Sequence, residues 1–125
     1  MAHAPQNFTV WTEIPVTDVD RAIAFYNEVF GLELTVDNSG PNPMAMFPTA
    51  DGTGVAGHIY PGTPAKAGEG PTAHFAIPDK LEDAMARTGK AGGKVLGEPV
   101  TIPAGRFAYA IDPDGNSIGL FETIG

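Results

Sequence analysis

The chain has no cysteine, which excludes disulfides, thiolate nucleophiles and cysteine-bound zinc together. Any metal would have to be held by His, Asp or Glu. Cations are also scarce: 7 Lys and Arg stand against 15 Asp and Glu, for a formal charge of −8. Such a chain repels a phosphate backbone, and no basic cluster interrupts it, so nucleic acid is excluded as a partner. No apolar run approaches the roughly 20 residues of a membrane span, and a membrane is excluded with it. Met1 to Asn7 carries neither a charged n-region nor an apolar h-region, which gives the expectation of a cytoplasmic protein. No two of the 3 histidines stand at a metal-binding spacing.

What is present argues for a folded globule. The 125 residues are one domain's worth, and 42% of them are hydrophobic against 18% charged. The 16 glycines and 12 prolines are spread among turns rather than gathered in a tail. The pattern also repeats. Ala108 to Glu122 is an apolar run, an Asp-Gly turn and a second apolar run, and Met44 to Tyr60 is a cruder copy of it. Each reads as a β-hairpin, and each is preceded by a strand and an amphipathic helix.

In the first unit, about residues 8–60, Phe8 to Val16 reads as a strand with Val10, Thr12, Ile14 and Val16 on one face and Trp11, Glu13 and Pro15 on the other. Thr17 to Asp20 approximates a capping box. Val19, Ala22, Ile23, Tyr26, Val29 and Phe30 then recur at helical spacing until Gly31. Strands are expected at Leu32 to Val36, Met44 to Phe47 and Val55 to Tyr60. Pro61 to Gly70 holds no large apolar residue and reads as a connector. The second unit, about residues 71–123, has strands expected at Thr72 to Ile77, Lys94 to Leu96, Val100 to Ile102, Phe107 to Ile111 and Ser117 to Glu122. Its helix is expected over Asp79 to Ala91, stopped by Gly92-Gly93. The expectation is an α+β fold: two tandem βαβββ modules in one domain, forming a curled, barrel-like mixed sheet around a cavity. A ferredoxin-like βαββαβ domain shares the alternation but has too few strands.

Ile14 to Tyr26, the Gly92-Gly93 stop and the run Asp112-Pro-Asp-Gly-Asn-Ser-Ile-Gly-Leu-Phe-Glu122 resemble the vicinal oxygen chelate superfamily, which includes glyoxalase I, extradiol dioxygenases and bleomycin-resistance proteins. The resemblance covers nearly the whole chain. It implies a small-molecule site between the modules, self-association into a two-fold dimer and, in metal-dependent members, a divalent ion held by the first and last strand of each module. The positions that correspond are Trp11, Gly57, Thr72 and Gly119, none of which is a strong side-chain ligand. No cofactor is therefore expected, with a divalent metal at a displaced site as the alternative.

Glu13 and His74 occupy matching places two residues further along the two first strands, so the repeats are expected to superpose with Glu13 over His74 and Gly57 over Gly119. If the first strands lie side by side, Glu13 would orient the His74 imidazole for acid–base work, although a structural polar pair would look the same. His58, one residue after Gly57, is expected to point away from the cavity. Trp11, Thr72, Phe107, Tyr109 and Phe121 are the candidate substrate-binding residues. The four rings are expected on inward strand faces, where they would wall a pocket or simply fill a core. The function that follows is binding of a small aromatic or planar molecule between the modules without the usual metal. The alternatives are a lyase or isomerase using Glu13 and His74, and a non-catalytic dimerising domain.

Overall fold

The computed structural model describes residues 2–123. Two helices and seven strands follow the order β1 (Thr12–Val16), α1 (Val19–Phe30), β2 (Ala45–Met46), β3 (Gly57–Pro61), β4 (Ala73–Ala76), α2 (Leu81–Lys90), β5 (Lys94–Ile102), β6 (Gly105–Ile111) and β7 (Ser117–Thr123). The strands form two sheets, ordered β1-β3-β2 and β4-β7-β6-β5. In each module the first strand pairs in parallel with the last, β1 with β3 and β4 with β7. This is the expected α+β tandem, but the two sheets do not close into a barrel.

The apolar stripe of α1 buries Ala22, Phe25, Tyr26, Val29 and Phe30. Asp18 caps the helix by accepting from Arg21 N at 3.0 Å, and Gly31 ends it in the left-handed conformation at φ 67°. Ile14 and Val16 of β1, Ile59 of β3 and Ile118 and Leu120 of β7 meet the helices in one continuous core. Arg87 of α2 ties the helices together: Nε and Nη2 donate to Val29 O at 3.1 and 2.9 Å, and its guanidinium also holds Asp79.

Three elements depart from the sequence expectation. Leu32 to Val36 forms no strand, because the Asn27 side chain takes both Leu34 N and Leu34 O at 2.7 and 3.3 Å, the groups a sheet neighbour would use. The first module therefore has three strands rather than four. The first strand starts at Thr12 rather than Phe8, since its partner β3 begins opposite Thr12, and Phe8 and Val10 are left 84% and 65% exposed. Lys94 to Ile102 is one strand interrupted by a register shift between Leu96 and Val100, where two strands were expected.

The modules are locked by the turn before β7. Asp112, 2% exposed, accepts from the backbone N–H of Asp114 and Asn116, from Asn116 Nδ2 and from the Tyr26 hydroxyl at 2.8 Å. Asp114 accepts from Thr17 N at 2.9 Å, from the Thr17 hydroxyl and from Arg21 Nη2 at 2.7 Å. Asn116 Nδ2 donates to Pro15 O at 2.8 Å. A turn of the second module thus grips the end of β1 and the start of α1.

Burial, followed by the neighbouring Asp112 charge, pushes the Tyr26 hydroxyl well above its ordinary pKa of 10.0. The folded state keeps this proton where the unfolded chain gives it up, so the stabilisation is complete below pH 10 and is lost as pH rises past it. Tyr26→Phe is expected to cost about 1–2 kcal/mol in urea denaturation at neutral pH, because Asp112 retains its other donors. The same variant should abolish this share of the alkaline loss of stability.

Candidate functional site

Strand register decides which side chains share a face. In β1 and β3, Ile14, Val16 and Ile59 enter the core, so Glu13, His58 and Tyr60 stand on the opposite face. The register pairs Glu13 with His58 and, in the second module, His74 with Gly119. Matching Glu13 to His74 therefore matches His58, not Gly57, to Gly119. This corrects the expected overlay by one residue. Gly57 shares the buried face of Ile59, and β1 passes so close there that a Cβ would lie 2.1 Å from Thr12 O. The signal in the sequence was Ile59, whose apolar side chain fixes His58 and Tyr60 on the other face.

His58 is consequently the partner of two residues singled out from sequence. The Trp11 indole N–H donates to His58 Nδ1 at 2.9 Å, and His58 Nε2 lies 3.4 Å from Glu13 Oε1. His74, expected to meet Glu13, is placed elsewhere. Its ring packs against Phe107, Phe121 and Tyr109 at centroid distances of 4.9, 5.8 and 5.9 Å, and it makes no ion pair with Glu13 among the described residues. Phe107 and Phe121 are stacked 5.8 Å apart, so three of the four candidate rings do form one cluster, with His74 as its polar member. Phe107 is buried while Tyr109 is 42% exposed.

The imidazole of His74 lies directly over Gly119, where a Cβ would come within 2.0 Å of Nδ1. Glycine at 119 thus makes room for this ring. Desolvation among the rings lowers the His74 pKa from 6.5, which keeps the imidazole neutral near physiological pH. Thr72 shares a hydrogen bond with Ser117 across the β4 and β7 ends, and it borders the space between modules.

That space is a cavity of about 520 Å³ at the junction of the two modules. Thr9, Thr12 and Val55 line it from the first module, Thr72, Ala73 and Phe75 from the second, and Phe30 and Phe47 close it on the helix side. Phe75 packs on Phe30 at 5.5 Å and on Phe47 at 5.2 Å. His74 and Tyr26 also line the cavity, and its lining includes no Lys, Arg, Asp or Glu. Only Thr72 among the candidate substrate-binding residues lies on it. Phe30 and Phe75 gave no sequence signal of a cavity, since a ring at helical or strand period reads as core.

The resemblance drawn from sequence implies a divalent ion, and the donors present do not fit one. Glu13 and His58 are together, His74 stands among phenyl rings, and no group of three His, Asp or Glu among the described residues is placed to hold an ion. No helix among the described residues is long and apolar enough to cross a membrane.

Gly119→Ala is expected to drive the His74 ring out of its nest and return its pKa toward 6.5, so the imidazole should titrate at higher pH than in the wild type when followed by proton NMR.

Comparison with known proteins places the chain in context. A family model described as Glyoxalase/Bleomycin resistance protein/Dioxygenase superfamily matches residues 9–120. The protein CFP32 of Mycobacterium tuberculosis is 33% identical over 107 residues, covering 85% of this chain. The chain spans only 40% of that relative's length. A glyoxylase-like domain-containing protein of Didymella fabae is 32% identical over 112 residues, covering 84% of this chain and 85% of its own length. Among solved structures, TnmS3, an antibiotic binding protein from Streptomyces sp. CB03234, is 26% identical with a TM-score of 0.61, covering 98% of this chain and 100% of its own. The chain belongs to the glyoxalase/bleomycin resistance protein/dioxygenase superfamily.

Proposed function

We propose that the chain is a small-molecule binding protein that takes an uncharged, planar aromatic ligand into the cavity between its modules, without a chelated metal. The observation that carries this reading is the cavity itself. At about 520 Å³ it falls within the size range of small-molecule sites, and aromatic rings wall it beside the His74 imidazole and a few threonine hydroxyls. Flat rings offer stacking and edge contacts to a flat ligand, and the threonines supply points of orientation. The similarity to TnmS3, itself described as an antibiotic binding protein, supports the same class of activity. The reading places the protein in the cytoplasm.

Isothermal titration with 1-naphthol as probe tests it. Saturable one-to-one binding is expected, unchanged after dialysis against EDTA. Ala73→Leu puts three extra carbons into the cavity, and about tenfold or greater weakening is expected while the fold is retained. Binding that disappears with EDTA, or that Ala73→Leu leaves intact, contradicts the proposal.

Self-association belongs to the same reading. The edge strand β5 leaves Leu96, Val100 and Ile102 between 37% and 38% exposed, an apolar row that a second copy would cover. Light scattering at micromolar concentration is expected to give the mass of a dimer, and a monomer would remove this part.

A further inference from the structure

Trp11, Glu13 and His58 form a polar group away from the cavity's phenyl walls. The indole N–H of Trp11 reaches His58 Nδ1 at 2.9 Å. An indole nitrogen only donates, so Nδ1 must accept, and the neutral imidazole then carries its proton on Nε2. That Nε2 faces Glu13 Oε1 at 3.4 Å, beyond the ordinary length of a hydrogen bond. The His58 side chain is 12% exposed and that of Glu13 64%. A donor of fixed direction therefore stands beside an acceptor that solvent can reach, and neither is strongly engaged by the other.

The surroundings say what could engage both. The Tyr60 ring packs edge-on against His58 at 5.8 Å, Met46 lies opposite His58 in register and is 45% exposed, and Trp11 is 42% exposed. Trp11 and Glu13 also border a second hollow of about 470 Å³. An atom set beside this pair must accept from Nε2–H and donate to a carboxylate. A hydroxyl does both. An ether only accepts, an ammonium only donates, and a carboxylate is repelled by Glu13. Part-exposed Trp11 and Met46, on either side of His58, favour a hydroxyl carried on an aromatic ring.

We propose that Trp11 is a positioning residue that fixes His58 as its Nε2–H tautomer, and that His58 and Glu13 together bind the hydroxyl of a phenolic ligand. The proposal concerns the face of the first sheet turned away from the core, so it stands or falls separately from the cavity reading.

Nitrogen NMR of imidazole-labelled protein gives the tautomer directly. In the wild type at a pH where His58 is neutral, a single Nε2–H form is expected, and Trp11→Phe, which keeps an aromatic ring but no donor, should give a mixture. Phenol and anisole then serve as probes that differ by one O–H. Phenol is expected to shift the Trp11 indole N–H and the His58 ring signals saturably, with affinity about tenfold or more above that of anisole, as suits a hydrogen bond to a charged acceptor. Glu13→Ala, at an exposed position, should remove that preference. The tautomer measurement uses the wild type alone and stands even if Trp11→Phe fails to fold. A wild type protonated on Nδ1, equal binding of the two probes, or a phenol preference that survives Glu13→Ala would each overturn the proposal. Phenol signals confined to Thr12, Phe47 and Phe75 would overturn it as well, while leaving the cavity reading intact.

Discussion

The buried Asp112 carboxylate is the interaction on which the arrangement of the molecule depends. It organises its own turn through two backbone N–H groups and Asn116, and it reaches the Tyr26 hydroxyl in the middle of α1. Two residues on, Asp114 receives Thr17 and Arg21 at the other end of the same contact. A carboxylate taken out of water is costly unless its lone pairs are met, so a turn whose carboxylates draw on this many donors accepts few alternative dockings. The position of the second module against the first follows from it. So does the cavity, whose walls come from both modules and would part if the turn let go.

Much of the fold was legible in the sequence because its signals are local. The stripe from Val19 to Phe30 and the Gly31 stop mark α1 locally, although the cap is Asp18 within the Thr17 to Asp20 run read as a capping box. The Asp112-Pro-Asp-Gly-Asn116 turn between two apolar runs fixes the last hairpin. What escaped was decided by distant partners. Leu32 to Val36 has the composition of a strand, but the Asn27 amide takes the Leu34 backbone groups first. The start of β1 is set by where β3 begins, which no property of Phe8 or Val10 reveals.

The site was legible in its residue types and not in its pairings. Glu13, Trp11 and His74 all stand on the faces turned from the core, as the alternation of Ile14, Val16 and Phe75 requires. Yet Glu13 meets His58 across the parallel β1 and β3 pair rather than His74 across the module junction. The expected pair supposed the two first strands side by side, whereas each pairs with the last strand of its own module. Placing Gly57 on the ligand face hid His58, since a one-residue shift at period two moves a side chain from one face to the other. Gly119 shows the converse. It read as the absence of a ligand, and in the structure it is the floor on which the His74 ring rests.

The scaffold of the superfamily carries many chemistries, so the proposed binding site rests on this chain's own residues. The most direct test of the junction cavity as the binding site is to locate a bound probe by nuclear Overhauser contacts between 1-naphthol and the chain. Contacts from the naphthyl protons to the rings of Phe47 and Phe75 and to the methyl groups of Thr12 and Ala73 are expected. Contacts confined to the Phe107, Tyr109 and Phe121 cluster, or none to the cavity at saturation, would contradict it.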